Sequence, residues 1–366
     1  MFEGIIGNDH IRQYLLHMSD SNSVGNSFLF AGPEGIGKSL FALEFIKILL
    51  AKEPAGESHV RKIKAGTHPD IKHYRPEGKI GAHTIESLRQ FIGEVYLKPY
   101  EAQKKFFIIH EAHRMLPVSA NALLKTFEEP SPDSIIILLS GEKELLLPTV
   151  LSRCRTLSFQ PIPKTEISHF LTEKYRCHPD EARHYAALAE GSLGKALKLY
   201  NEQGNDLRKK ILQFMSKGKV RTYFELTDFV KEICADMETT KKGSDKSIRE
   251  AFMQGLSDSD LTAVQKQMIE KEVEGAVSLQ QTQESSGIFK LILSWFRDLH
   301  LLYCGGNHDL LLNKDFHGEM EEKILSGEPT GIEKIEKIIG EAQLAMQRSG
   351  SFSLCLENVF LKLNFL

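Results

Sequence analysis

The stretch that most restricts the fold of this chain is Gly32-Pro33-Glu34-Gly35-Ile36-Gly37-Lys38-Ser39. It is a complete GxxxxGKS set between the apolar run Phe28-Leu29-Phe30-Ala31 and the helically periodic segment Leu40 to Leu50. Strand, glycine-rich turn and helix in that order form a phosphate-binding loop. Gly32, Gly35 and Gly37 let successive backbone N–H groups and the helix N-terminus face an anion. Lys38 would reach the β- and γ-phosphates and the Ser39 hydroxyl would ligate Mg²⁺, so ATP with Mg²⁺ is the expected ligand.

The neighbouring sequence extends this unit into a sheet. Phe106-Phe107-Ile108-Ile109 and Ile135-Ile136-Ile137-Leu138-Leu139 are near-continuous apolar runs, as expected of strands buried on both faces. Leu40 to Leu50 and Ala120 to Glu129 read as helices between them. Strand alternating with helix predicts an α/β domain, a doubly wound parallel sheet with helices on both faces. Gln160-Pro161-Ile162-Pro163 then breaks the pattern, and beyond it 166–175, 179–190, 195–200 and 207–215 read as helices. Polar stretches at 239–245 and 280–287 are expected to interrupt a helical C-terminal third. The broad apolar stripe from Ile288 to Leu299 reads first as a helical core and second as an interface. Three domains follow: 1–161, a small helical domain 162–215, and an all-helical domain 216–366.

With 41% hydrophobic and 26% charged residues, the chain of 366 residues has the balance of a globular protein. Its net charge of -3 limits any nucleic-acid contact to a local patch. No apolar stretch is long enough to span a membrane, and the opening run Met1 to Gln13 lacks the basic and apolar regions of a secretion signal. Cys154, Cys177, Cys234, Cys304 and Cys355 form no CxxC pair, so a reducing cytoplasm is the expected compartment.

Hydrolysis needs a carboxylate at the end of a neighbouring strand. Here the strand ends in His110 followed by Glu111, a degenerate version of that element. Glu111 stands where a general base is wanted, but an imidazole is a poor substitute for a carboxylate beside Mg²⁺. Binding of ATP is therefore expected more than its turnover. An active role for His110 and a backbone-bonded strand end are both open.

Further runs carry a resemblance. Ala120-Asn121-Ala122-Leu123-Leu124-Lys125-Thr126-Phe127-Glu128-Glu129-Pro130, Leu146-Leu147-Pro148-Thr149-Val150-Leu151-Ser152-Arg153-Cys154, Leu97-Lys98-Pro99-Tyr100 and His68-Pro69-Asp70 resemble, in order and spacing, the AAA+ clamp-loader subunits of bacterial DNA polymerase III. Ser294 to Asp298 and Leu354 to Asn358 look like that family's collar. The resemblance implies an AAA+ nucleotide-binding domain, a helical lid and an oligomerising collar. It implies that Arg153 is an arginine finger acting in trans, and that Ser140 senses the γ-phosphate. It makes Ile5 to Asn8 an adenine-side segment. The implied partners are gamma/tau and delta-type subunits, a sliding clamp and primer-template DNA, with no membrane.

Departures from the family pattern are equally specific. Motor subunits have Asp where His110 stands and Arg where Gly194 stands, so the chain resembles the non-motor member, with ATP as a structural ligand. Many members bind zinc through four cysteines between the phosphate loop and His68, whereas Ala51 to Thr67 has none, and no zinc is expected. His59, His68 and His73 are the only soft ligands nearby. The rival readings are a gamma/tau-type motor ATPase and an unrelated P-loop phosphotransferase.

Overall fold

A computed structural model describes residues 2, 4–20, 24–201, 206–253, 263–325, 327–348 and 350–365. Of the opening run, Met1 and Glu3 lie outside the described residues. The element order is α1 (Asp9–Asp20), β1 (Ser27–Ala31), α2 (Lys38–Ala51), α3 (Gly56–Lys64), β2 (Ile71–Tyr74), α4 (Ile85–Val95) and β3 (Lys105–Ile109). There follow α5 (Pro117–Ala122), α6 (Leu124–Glu128), β4 (Ser134–Ser140), α7 (Pro148–Leu151) and β5 (Arg155–Ser158). The remainder is helical: α8 (Lys164–Tyr175), α9 (Pro179–Leu188), α10 (Leu193–Asn201), α11 (Asp206–Lys217), α12 (Tyr223–Met253), α13 (Ala263–Tyr303), α14 (His317–Leu325), α15 (Ile332–Gln347) and α16 (Phe352–Lys362).

Among the described residues the five strands form one parallel sheet in the order β2-β3-β4-β1-β5. Alternation of side chains along each strand divides its apolar residues between two cores. Phe28, Phe30, Phe106, Ile108, Ile135 and Ile137 pack with α1 and α2 on one face. Leu29, Phe107, Ile109, Ile136 and Leu138 pack with α4, Leu123 and Phe127 on the other. Burial on both sides explains the unbroken apolar runs, and the expected doubly wound α/β fold is the one present. The chain leaves β1 toward the far edge, returns through β2, β3 and β4, and crosses to β5. The carboxyl ends of β3, β4 and β1 therefore meet at the switch in strand order, where such sheets hold their ligands.

Two local expectations need correction. Residues 239–245 do not interrupt the helical region but lie inside α12, and 280–287 lie inside α13. Polarity there marks exposure, since Thr, Lys, Asp and Gln are all compatible with helix; Thr239, Thr240 and Gln283 are exposed. The segment Ala120 to Glu129 is two short helices, α5 and α6, that meet at the fully buried Leu123.

The chain groups into two compact units, Met1–Asn201 with Ser247–Ser278, and Glu202–Lys246 with Leu279–Leu366. In the first, residues 162–200 carry an apolar core of their own around Ile162, Ile167, Leu171, Ala186 and Ala196. Lys271 O accepts from Gly78 N–H, and a Cβ at Gly275 would lie 2.2 Å from Pro76 O, so glycine there allows α13 to touch the segment after β2. In the second unit, Ile288, Phe289, Ile292, Trp295, Phe296 and Leu299 are buried, which answers the stripe in α13 as core. A buried polar anchor sits beside them: Asp298 accepts from Leu312 N, Asn313 N and Asn313 Nδ2, while Arg208 holds both oxygens of Asp315.

Candidate nucleotide site

The phosphate loop connects β1 to α2 and takes the shape its glycines permit. Gly32, Gly35 and Gly37 have φ of 152°, 71° and 96°, all in the region that L side chains avoid. A Cβ would also collide at two of them, 2.5 Å from Phe159 O at Gly32 and 2.3 Å from Ser192 Oγ at Gly35. Lys38, 7% exposed, donates through Nζ to Gly32 O at 2.6 Å and Pro33 O at 2.7 Å. Burial pulls its pKa down, against the opposing pull of Glu111 and Glu34. Ser39 stands in the first turn of α2. The backbone cradle, buried ammonium and hydroxyl fit a magnesium nucleotide.

Glu111 follows β3 in a left-handed conformation, φ 46° and ψ 49°. Burial and then the nearby Glu34 push its pKa up to about 7, while Lys38 and Arg114 act the other way. Its Oε2 is buried without a hydrogen-bond partner. Ser140 ends β4; its Oγ accepts from Glu142 N–H at 3.2 Å and lies 3.3 Å from His113 Nδ1. Burial lowers His113 to about 4, so its ring is neutral near pH 7 and shares a proton with Ser140 Oγ, while its Nε2 lies 3.7 Å from Glu111 Oε2. The fold thus brings Lys38, Glu111 and Ser140 together and adds His113 and Glu34. Neither addition was singled out from sequence: His113 acts through a turn after Glu111, and Glu34 occupies a position that the loop motif leaves unspecified.

His110 is engaged elsewhere. Its Nε2 lies 3.0 Å from Nδ1 of His73 in β2, with the rings stacked, and its backbone N–H donates to Tyr74 O. Desolvation holds His73 at about 4 and His110 well below its ordinary value, so both are neutral near pH 7. The His110 ring thus pairs with a histidine side chain, while the backbone N–H and C=O are engaged by Tyr74 O and His83 Nε2.

Gly194 has its own reason to be glycine. Its N–H donates to Gly35 O at 2.8 Å, and a Cβ there would sit 3.1 Å from Gly35 Cα. In the segment Ile5 to Asn8, Asn8 clamps the strand exit, donating from Nδ2 to Gln160 O and accepting Gln160 N–H at 2.7 Å. Arg153 lies in the turn between α7 and β5. Its guanidinium donates to Glu128 Oε1 at 2.5 Å and to Thr149 O at 2.9 Å. Both side chains of that pair are partly exposed.

Among the described residues one group could present three metal ligands: His59, His68 and Glu101, with donor atoms within 4.8 Å of one another. The hydrogen bonds there assign the tautomers. Asp70 N–H donates to His68 Nδ1, so His68 carries its proton on Nε2 and donates it to His59 Nδ1 at 2.8 Å. These two nitrogens are thus paired with each other, while His59 Nε2 is buried without a hydrogen-bond partner. Asp70 itself accepts from Tyr100, Glu101 and Ala102 N–H, which joins the His68 and Leu97 sequence landmarks into one hydrogen-bonded network.

A family model described as DNA polymerase III, delta subunit, matches residues 7–163. The DNA polymerase III delta' subunit of Bacillus subtilis is 29% identical over 228 residues, 60% of this chain and 68% of that one. Over the matched segment the chain is similar to DNA polymerase III delta' subunits. The delta' subunit of Pseudomonas aeruginosa is 31% identical over 200 residues, 52% of this chain and 61% of that one. The tau/gamma subunit of Haemophilus influenzae is 30% identical over 213 residues, 55% of this chain but 30% of that longer protein. A gamma-subunit-related protein from Thermotoga maritima aligns in structure with a TM-score of 0.45 and 19% identity, covering 96% of this chain and 98% of that one. The sheet order above, more than that likeness, defines the fold. None of the helices described is long and apolar enough to cross a membrane.

Proposed function

We propose that this chain is a clamp-loader subunit of the delta' type: a non-motor ring member that lends Arg153 to the ATP of an adjacent gamma/tau-type subunit. It would do so while the assembly, with a delta-type subunit, places a sliding clamp on primed DNA in the cytoplasm. The observation that carries the reading is the family match over the α/β domain, in which Arg153 lies at a partly exposed turn and is bound to Glu128 and not to its own phosphate loop. A planar guanidinium there suits the spreading charge of a transferred phosphoryl group.

The chain's own loop supports binding of a magnesium nucleotide through Gly32, Gly35, Gly37, Lys38 and Ser39, with Ser140 and Glu111 beside it. Bound Mg²⁺ would neutralise phosphate charge. His110 engaged with His73, and Gly194 packed on Gly35 where a motor would carry Arg, favour a structural nucleotide over a motor role.

The experiment is assembly by omission. Purified gamma/tau-type and delta-type subunits, clamp and primed DNA should load the clamp only when this chain is present, and the chain should co-elute with them. Loading at the same rate without it, or failure to join the complex, would overturn the reading.

A further inference from the structure

The phosphate loop carries a negative charge of its own. Glu34 is an exposed residue within Gly32–Ser39, and its side chain folds toward the segment after β4: a Cβ at Gly141 would lie 3.4 Å from Glu34 Cγ and 3.8 Å from Oε1. Its charge is felt by Lys38 from the loop itself and by Glu111 and His113 from the turn after β3. Glu142 beyond β4 and Arg114 complete the ionisable groups acting on Glu111. The buried ammonium of Lys38 thus has Glu34 and Glu111 as carboxylate neighbours, and Glu111 has a buried oxygen without a hydrogen-bond partner.

We propose that Glu34 determines the affinity and phosphate-number preference of this nucleotide site, as a tethered anion that opposes the terminal phosphate. The inference rests on the reading that the loop binds nucleotide. Two effects act in the same direction. Before binding, the carboxylate attracts Lys38, the cation that a β- or γ-phosphate must engage. After binding, it repels the polyphosphate, and the repulsion grows with phosphate charge, damped by solvent because Glu34 is exposed. The backbone N–H groups of the cradle recognise phosphates whatever their number, and Glu34 adds a charge-dependent discrimination to the contacts of Lys38 and Ser140. A triphosphate is disfavoured relative to a diphosphate, and Mg²⁺, which lowers the net charge of the ligand, restores part of the loss.

The test uses the full chain with fluorescent N-methylanthraniloyl ATP and ADP, each with and without Mg²⁺. The proteins compared are the unaltered chain, Glu34→Gln, Glu34→Asp and Lys38→Ala. Glu34→Gln should bind the triphosphate about 10-fold more tightly, the equivalent of about 1.4 kcal/mol. The diphosphate should gain less, and both gains should shrink at high salt. Glu34→Asp, which retains the charge, should stay near the unaltered chain. Triphosphate binding seen in Glu34→Gln alone would also support the proposal. Equal affinities for Glu34→Gln and the unaltered chain, with Lys38→Ala weakened, would overturn the proposal and leave nucleotide binding intact. Binding by none of the four proteins would overturn nucleotide binding itself.

Discussion

At the residue scale, Glu111 makes the site's electrostatics measurable. Its folded pKa of about 7 lies above that of an unfolded carboxylate, so the native chain keeps a proton that the unfolded chain has lost between the two values. That contribution to stability is present at low pH and is lost as pH rises from about 4.5 through about 7. Glu111→Gln should therefore stabilise the protein by about 1–3 kcal/mol at pH 8 and by little at pH 4.5, as read by urea denaturation. An equal effect at both pH values would contradict a buried, proton-holding Glu111. His73 and His83 act in the opposite sense: both are held at about 4 by burial, and their contribution is lost as pH falls from about 6.5 toward 4. The comparison of variant with unaltered chain removes that shared background. The loop residues of this site were legible in the sequence because a glycine-rich turn has a spacing. His113 and the Asn8–Gln160 clamp were not, because their partners are set by the meeting of distant strands.

Elements were legible in proportion to their burial. β1, β3 and β4 lie in the middle of the sheet and read as apolar runs, whereas β2 (Ile-Lys-His-Tyr) and β5 (Arg-Thr-Leu-Ser) are edge strands whose polar residues hid them. The same logic concealed the length of α12 and α13, whose polar middles look like breaks to a reading based on apolar periodicity. Gly194 shows a difference of meaning. In sequence it is a missing arginine; in the structure it is the close approach of α10 to the phosphate loop. Gly194→Arg should for that reason not create a motor. It should destabilise the first unit by about 1–2 kcal/mol, since a Cβ there would sit 3.1 Å from Gly35 Cα and push the two segments apart, and it should loosen nucleotide binding. A variant with undiminished stability that gained ATP turnover in isolation would contradict this account.

At the scale of the whole molecule, the α/β domain and the helical second unit meet different demands. The first gathers Lys38, Glu111 and Ser140 at the carboxyl ends of three adjacent strands and presents Arg153 at another turn. The second builds a core around Trp295 and a polar anchor of Arg208, Asp298, Asn313 and Asp315. The sequence resemblance is dense in the first region and thin in the second, and the family match ends at residue 163. Short signature runs persist where phosphate chemistry restricts residue type, while a helical core tolerates many apolar solutions. The central claim is that Arg153 acts on a neighbour's nucleotide. Its most direct measurement is the DNA-stimulated ATPase rate of the reconstituted loader containing Arg153→Ala, with assembly verified by size. Loss of an arginine finger predicts a fall of about 10³-fold at the site it serves, seen as a clear drop in the total rate, with Arg153→Lys only partly restoring it. An unchanged rate in a fully assembled complex would contradict the account.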